Sequence, residues 1–225
     1  MYGLITYKKI IKSRFAFTLA EVLIILLIIG VIASIVIPGL IADTQNAELK
    51  TAWKKNYADI SQSTMRLAND NGGSLKGIFT SGNTMKETFK PYLNYIQDCN
   101  DNSSSGKCWH AASKFFALDG QPSTLTGWSN SYPGLVLNNG ILLIFGSTNL
   151  NCDAVINTSG YSRCGEINVD VNGFKGPNTL GKDIFQIHVL GNRILPRGIS
   201  GDWNVGCTNS DGTGGLGCGA LYLSQ

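Results

Sequence analysis

Oxygen-bearing side chains alternate along one short segment in the C-terminal half of the chain. Asn168, Asp170 and Asn172 precede a glycine, and Asp183 follows further along. This spacing is typical of the start of a calcium-binding loop, in which carboxylate and amide oxygens coordinate the ion. Thr179 stands where an EF-hand needs its bidentate Glu, which excludes that motif. A hairpin connection, in which Asn, Asp and Gly make the turn, is favoured over a calcium site, and no cofactor is otherwise expected.

The sequence contains six cysteines, and their number indicates disulfide chemistry. They are Cys99, Cys108, Cys152, Cys164, Cys207 and Cys218. Six cysteines allow fifteen connectivities. We favour the pairing of sequence neighbours, because each such pair closes a short loop rich in Gly, Ser and Asn. On the polymer model a loop of about 10–15 residues contributes on the order of 3 kcal/mol.

Metal binding and catalysis are both disfavoured by the sequence. There is no C-x-x-C, and His110 and His188 have no recognisable ligand spacing from the cysteines, which argues against zinc. His188 lies in an apolar strand pattern and is expected to be a strand residue with satisfied hydrogen bonds, whereas the position of His110 next to Trp109 indicates local packing. The chain has no G-x-S-x-G, no H-E-x-x-H and no phosphate-binding glycine loop. We therefore expect a protein that is not an enzyme.

Residues 17–41 form the longest apolar segment, FTLAEVLIILLIIGVIASIVIPGLI. About 20 apolar residues of helix cross a bilayer, so the segment is long enough to do so. It exceeds the apolar core of about 7–15 residues in a secretory signal peptide. A plain membrane anchor does not account for Glu21, since a carboxylate at the centre of a membrane helix costs roughly 2.5–3.5 kcal/mol. Glu21 is therefore a functional candidate.

The first sixteen residues contain four basic residues and no acidic one. By the positive-inside rule, this flank predicts a cytoplasmic N-terminus and an exported remainder. Without these four residues the chain has 14 basic and 15 acidic residues, a formal charge of −1. Nucleic-acid binding calls for a clearly basic surface, so no nucleic-acid partner is expected.

The junction between the two segments carries a family resemblance. A basic leader and a small residue precede Phe17-Thr-Leu-Ala-Glu21, which opens the apolar helix, and Pro38 follows within it. Over residues 13–41 the chain resembles the N-terminus of type IV pilins and type II secretion pseudopilins. The residue before the Phe is Ala16, where the family usually has Gly.

The resemblance implies how the chain is processed and assembled. Prepilin peptidase would cut between Ala16 and Phe17 and methylate the new Phe17 amine. Glu21 would pair with that amine on a neighbouring subunit, with Thr18 and Leu19, and also Pro38, belonging to the assembly region. A buried carboxylate and a buried ammonium are each costly, and their pairing offsets much of that cost.

The resemblance also implies partners and a location. The subunit would reside in the inner membrane, in contact with lipid, with its head periplasmic or extracellular. It would then enter a type IV pilus or a type II secretion pseudopilus through an inner-membrane assembly platform, beside copies of itself or other pilins. Two alternatives stay open: a minor or DNA-uptake pilin with a ligand-binding head, and a single-pass anchored, exported binding domain.

The predicted fold is α+β and pilin-like. A leader (1–16) precedes a helix with a membrane half (17–41) and an amphipathic half (42–71), followed by a globular head (72–225). Leu49, Trp53, Ile60 and Leu67 recur at spacings of four and seven, which predicts one buried helical stripe. Further patterns predict a short helix over 84–97, interrupted or begun again at Pro91. They also predict a hairpin around an Asn-Gly turn in 132–145, strands over 165–171, 183–190 and 193–195, and an irregular tail over 198–219.

Pro38 should bend the long helix, since a proline inside a helix removes a hydrogen bond and crowds the preceding turn. In the head, the four to five predicted strands should form one antiparallel sheet packed against the amphipathic half of the helix.

Overall fold

The computed structural model describes residues 18–125, 127–156, 158–202, 207–208 and 214–225. Two compact units are present, Met1–Thr44 and Gln45–Gln225. The predicted cleavage and methylation site at Ala16 and Phe17 lies outside the described residues. The prediction of one long helix is confirmed: α1 spans Leu19–Asp70 and contains Pro38.

The second unit is organised around the C-terminal part of α1. The buried residues on this helix are Trp53, Asn56, Ile60, Ser63, Thr64, Leu67 and Ala68, and Leu49 packs partly buried beside them. The predicted stripe is therefore confirmed. Trp53 stacks on Phe185 with 4.4 Å between ring centroids, and its Nε1 donates a hydrogen bond to the Gly219 carbonyl at 2.9 Å. One tryptophan thus ties the helix to the sheet and to the C-terminal segment.

A six-stranded antiparallel sheet packs on this helix, in the order β1-β2-β3-β6-β7-β8. Its strands are β1 (Tyr95–Cys99), β2 (Gly134–Leu137), β3 (Leu142–Thr148), β6 (Gly165–Asp170), β7 (Ile184–Val189) and β8 (Ile194–Pro196). Strands β4 (Ala154–Val155) and β5 (Ser162–Arg163) form a separate two-stranded hairpin. The α+β class is as predicted, with more strands than the four to five expected.

Most predicted strands are present within a residue or two of their expected bounds. The Asn-Gly turn joins β2 to β3, and the Gly140 N–H donates to the Leu137 carbonyl at 2.9 Å. Gly140 has φ +85°, a conformation that glycine adopts without a Cβ penalty. The three later predicted strands correspond to β6, β7 and β8.

The predicted helix over 84–97 is wrong in its second half. Helix α2 spans Gly82–Phe89, a short 3₁₀ turn covers Lys90–Tyr92, and the chain then extends into β1. Pro91 has no N–H to donate, so it cannot continue the α-helical ladder. At the other end, the Ser81 side chain accepts from the Thr84 N–H in a capping box that starts α2.

The two faces of the sheet are covered by different parts of the chain. Alternate side chains of β2, β3, β6 and β7 point into the core shared with α1 and α2. On the opposite face, a second cluster includes Trp109, Phe115 and Trp128 from the segment between β1 and β2. Trp128 belongs to a short helix in this segment, α3 (Gly127–Asn130). Polar residues of β6 and β7 lie on this second face and are buried. Helix α4 (Cys218–Ser224) begins at the end of the predicted irregular tail, 198–219, and extends beyond it.

A buried lysine fastens α2 to the edge strand β1. The Lys86 side chain is 0% exposed. Its Nζ donates to the Asp98 carboxylate, to the Cys99 carbonyl at 3.2 Å and to Asn100 Oδ1 at 2.9 Å. Lys90 donates to the other Asp98 oxygen at 2.6 Å. Burial raises the pKa of Asp98, but the hydrogen bonds from the two lysines outweigh it, so the pKa is lowered overall.

We expect Asp98→Ala to lower the free energy of unfolding by about 3 kcal/mol, because breaking a buried ion pair leaves a buried charge uncompensated. Chemical denaturation of the full chain in detergent micelles measures this. Glu87→Ala is the matched control: it removes a carboxylate that also approaches Lys86, at 3.4 Å, but is 54% exposed, so a loss below about 1 kcal/mol is expected.

The double variant Lys86→Met, Asp98→Ala should recover much of the loss, because no unpaired charge is then buried. Equal losses for Asp98→Ala and Glu87→Ala would contradict the assigned role of Lys86.

Candidate functional site

Thr18 and Glu21 form a reciprocal cap at the start of α1. The Thr18 backbone N–H and its Oγ1 hydroxyl each donate to Glu21 Oε2 at 2.8 Å. The Glu21 N–H donates in turn to Thr18 Oγ1 at 3.2 Å. This is the capping-box arrangement, in which a hydroxyl residue and a carboxylate three positions later satisfy N–H groups left free at a helix start.

The capping role of Glu21 was missed at the level of sequence, although the signal was present. The pattern Thr-x-x-Glu immediately before an apolar run is the sequence signature of a capping box. Sequence reasoning considered Glu21 only as a partner for another subunit. The cap holds the carboxylate at the helix start with neutral donors, and it supplies no opposite charge.

The N-terminal part of α1 has apolar side chains around its whole circumference and buries almost none of them. Between residues 19 and 41 the large apolar side chains are 42–80% exposed. Within the described residues, α1 is the one helix long and apolar enough to cross a membrane. A membrane anchor and a signal sequence both meet that criterion. A helix that is apolar on all sides requires a non-aqueous environment.

The few polar groups in this apolar part are satisfied inside the helix. Besides the Thr18 and Glu21 cap, Ser34 is the only other polar side chain up to residue 41, and its Oγ donates to the Val31 carbonyl at 2.7 Å. Hydrocarbon offers no hydrogen-bond partners, so internal satisfaction is what a lipid-embedded helix needs. Leu19 is the first helical residue and is 80% exposed. Pro38 lies inside the helix, and the bend expected there stays a prediction.

All six cysteines form disulfides, and the neighbour pairing favoured from the sequence is confirmed. The bonds are Cys99–Cys108, Cys152–Cys164 and Cys207–Cys218. The first joins the end of β1 to the segment that covers the second face of the sheet. The second encloses the β4–β5 hairpin, and the third joins the tail to the start of α4. Each fixes a connection that contains little regular structure.

The segment with alternating oxygen side chains connects β6 to β7, as the hairpin interpretation predicts. Three of the four calcium candidates lie at this connection. Asp170 Oδ1 accepts the Asn172 N–H at 3.0 Å, and the Asn172 side chain donates to the Gly176 carbonyl at 3.0 Å. The Asp183 oxygens accept backbone N–H groups of the connection at 2.7 and 2.6 Å. These groups shape the turn.

Asn168 lies apart from this turn, in β6 opposite Gln186 of β7. It is fully buried, and neither its amide nitrogen nor its oxygen has a partner among the described residues. No group of three or more His, Cys, Asp or Glu side chains suited to a metal ion occurs among the residues described. Calcium binding at these residues stays the less favoured alternative.

A buried acid–histidine pair connects the segment covering the sheet to β6. His110 Nε2 lies 2.8 Å from Asp170 Oδ2, and both side chains are almost fully buried. Burial raises the pKa of Asp170, the hydrogen bond with His110 lowers it, and the nearby Asp183 charge raises it. The net result is a pKa of about 7. The sequence suggested local packing for His110, whereas its partner lies in a different part of the chain.

His188 lies in β7 and is a buried strand residue, as predicted. Its Nε2 is 3.5 Å from Asp202 Oδ2 and its Nδ1 is 3.8 Å from Glu166 Oε1. Burial raises the pKa of Asp202, but contacts with His188 and with the Gly198 N–H outweigh it, so the pKa is lowered overall. Both histidines thus hold connecting segments against the second face of the sheet.

Comparison of the chain with protein-family models, curated proteins and solved structures finds no match.

Replacing Asp170 should change how stability depends on pH. A folded-state pKa of about 7 against about 3.9 when unfolded means that the folded protein favours the protonated carboxyl. The contribution of the Asp170 carboxyl to the free energy of unfolding is therefore fully present below about pH 4. It is lost as the pH rises through 7, by at most about 1.4 kcal/mol per pH unit. Asp170→Asn keeps an acceptor for His110 and does not titrate.

We expect the unfolding free energy of the wild type, relative to Asp170→Asn, to fall between pH 4 and pH 7. Urea unfolding of the full chain in micelles, without reductant, measures the two curves. Asp119→Asn, at an exposed position, is the control and should run parallel to the wild type. If the curve of Asp170→Asn also runs parallel to that of the wild type, the pKa of Asp170 is not raised in the folded protein.

Proposed function

We propose that this chain is a pilin-like structural subunit, of a type IV pilus or a type II secretion pseudopilus, that polymerises through the N-terminal part of α1. Its function is to be a building block, not a catalyst. It would be inserted in the inner membrane, processed between Ala16 and Phe17 by prepilin peptidase, and passed to the filament by the assembly platform.

The observation that carries the proposal is the contrast between the two parts of α1. Up to residue 41 the helix is apolar on every side and exposed, whereas Trp53, Ile60 and Leu67 are buried against the sheet. The head therefore needs only the C-terminal part of α1. The apolar part is left available for lipid before assembly and for other helices afterwards, where its small residues Gly30, Ala33 and Ser34 permit close contact.

Glu21 supports the same proposal. A helix that served only as an anchor could be capped by an uncharged Gln at this position, and it would then avoid the cost of a charge in its first apolar turns. The capping box satisfies hydrogen bonds of the carboxylate but leaves its charge uncompensated. The amine of a processed Phe17 on a neighbouring subunit would supply the opposite charge and would fix the stagger between adjacent helices.

The disulfide bonds of the head are suited to a compartment outside the cytoplasm. Three disulfides hold its connections together, and structural disulfides persist in oxidising compartments. This agrees with the orientation that the basic leader predicts.

The experiment separates the charge of Glu21 from its capping role. Glu21→Gln retains a capping acceptor, because Gln also serves at this position of the capping box, but removes the charge. We expect cleavage after Ala16 to be unchanged and incorporation into filaments to fall at least tenfold, measured by immunoblotting of sheared filaments from the native host.

Glu48→Gln is the matched control, since it makes the same change on the same helix but beyond the apolar part, and it should assemble normally. Normal assembly of Glu21→Gln would contradict the proposal that the Glu21 charge sets the register between subunits.

A further inference from the structure

Two lysines from different elements line one small cavity in the second unit. The cavity has a volume of about 170 Å³ and is lined by Asn46, Lys50, Leu118, Lys182 and Tyr222. Lys50 lies on α1, Lys182 lies in the connection just before β7, and Tyr222 lies on α4. With Leu118 from the segment between β1 and β2, four separated parts of the chain therefore build the site.

The positive charge of this cavity is not balanced from within. Among the described residues, no carboxylate oxygen lies within 4.0 Å of the ammonium of Lys50 or Lys182. By contrast, the lysines at the edge of the sheet, Lys86 and Lys90, are both paired with carboxylates. Lys50 is instead held over the ring of Tyr222, with its Nζ 4.5 Å from the centroid. A cation over an aromatic face is attracted to it without being neutralised.

Lys50 is half-buried and Lys182 is exposed. Two like charges that line the same cavity repel each other, and an anion bound between them offsets that repulsion. We propose that this cavity binds a phosphate-type anion. Each lysine ammonium brings three hydrogen-bond donors, and lysine commonly binds phosphate as a point charge. Asn46 and Tyr222 add neutral donors. Burial raises the pKa of Tyr222, so its hydroxyl keeps its proton at neutral pH and remains able to donate. The small volume suits a single phosphate group.

Such a group could be free phosphate or the headgroup of an anionic phospholipid. The lipid source rests on the proposed function, because it requires that the apolar part of α1 be in a membrane. Lys50 follows Ile41 by only nine residues, a rise of about 14 Å in a helix, and helical side chains lean towards the N-terminus. The Lys50 ammonium would then lie near the headgroup layer of the leaflet.

The first test uses inorganic phosphate and the full chain in neutral detergent micelles. Titration followed by ³¹P nuclear magnetic resonance, at ionic strength matched with chloride, should give saturable binding. Lys50→Gln, Lys182→Gln together should weaken it at least tenfold. The control is Lys54→Gln, Lys55→Gln, which removes the same charge from α1 at exposed positions that do not line the cavity, and it should bind phosphate as the wild type does.

The second test uses phosphatidylglycerol added to the same micelles, with retained lipid counted by native mass spectrometry. If the lipid is a source, the wild type retains one more phosphatidylglycerol than the cavity double variant, and phosphatidylcholine shows no such difference. Phosphate binding without this lipid difference assigns the site to free phosphate. Neither readout depends on peptidase cleavage or filament assembly, so the site and the proposed function fail separately.

Three results would overturn the proposal. One is the absence of saturable phosphate and phosphatidylglycerol binding. Another is an equal loss in the control double variant, which would reflect net charge alone. The third is a cavity variant that binds both probes as the wild type does but no longer cross-links to other copies of the chain. That result would show that the two lysines pair with a carboxylate of a second copy.

Discussion

Burial of the C-terminal part of α1 against the sheet is the interaction on which the rest of the structure depends. Trp53 stacks on β7 and is bonded to the backbone of α4, while Ile60 and Leu67 complete the stripe. These contacts complete the hydrophobic core of the head without using the first part of the helix. Exposing each large apolar side chain to water costs roughly 1.5–3 kcal/mol. A segment that is apolar on all sides and exposed to this extent is suited to a non-aqueous environment.

Glu21 is the one ionisable group in that apolar part. Its bonds to Thr18 show that hydrogen-bond satisfaction and charge compensation are separate requirements. The cap meets the first inside the chain, and it also fixes where the carboxylate lies along the helix. Charge compensation needs a cation from another molecule, because the described part of this segment contains none. This separation makes the acid both a local structural element and a candidate for contact between subunits.

Local patterns predicted much of the fold. The spacing of Trp53, Ile60 and Leu67 identified the buried face of α1, and the Asn-Gly turn identified the β2–β3 hairpin, because both signals are short-range. Strand β1 was not predicted, since the residues after Pro91 were expected to restart or continue the helix, whereas the chain extends there. Helix α4 was missed because its core contacts, including the ring of Tyr222 against Phe185, come from distant parts of the sequence.

The buried polar face of the sheet was the least predictable feature. Alternation of Asn168 and Asp170 with valines is typical of a strand with one exposed face, yet both polar side chains are buried. The segment that covers them carries His110, which lies 60 residues from Asp170 in the sequence, and no local pattern indicates such a cover. The disulfide pairing was predictable only because each cysteine joins its neighbour across a short loop.

The intact mass of the chain purified from its native membranes or filaments distinguishes a processed subunit from an unprocessed membrane protein. We expect a mature chain that has lost residues 1–16 and begins at a methylated Phe17, with all three disulfides formed. A functional chain that retains those sixteen residues would contradict the proposed role of Glu21 in assembly, because the amine proposed to compensate Glu21 would then never be formed.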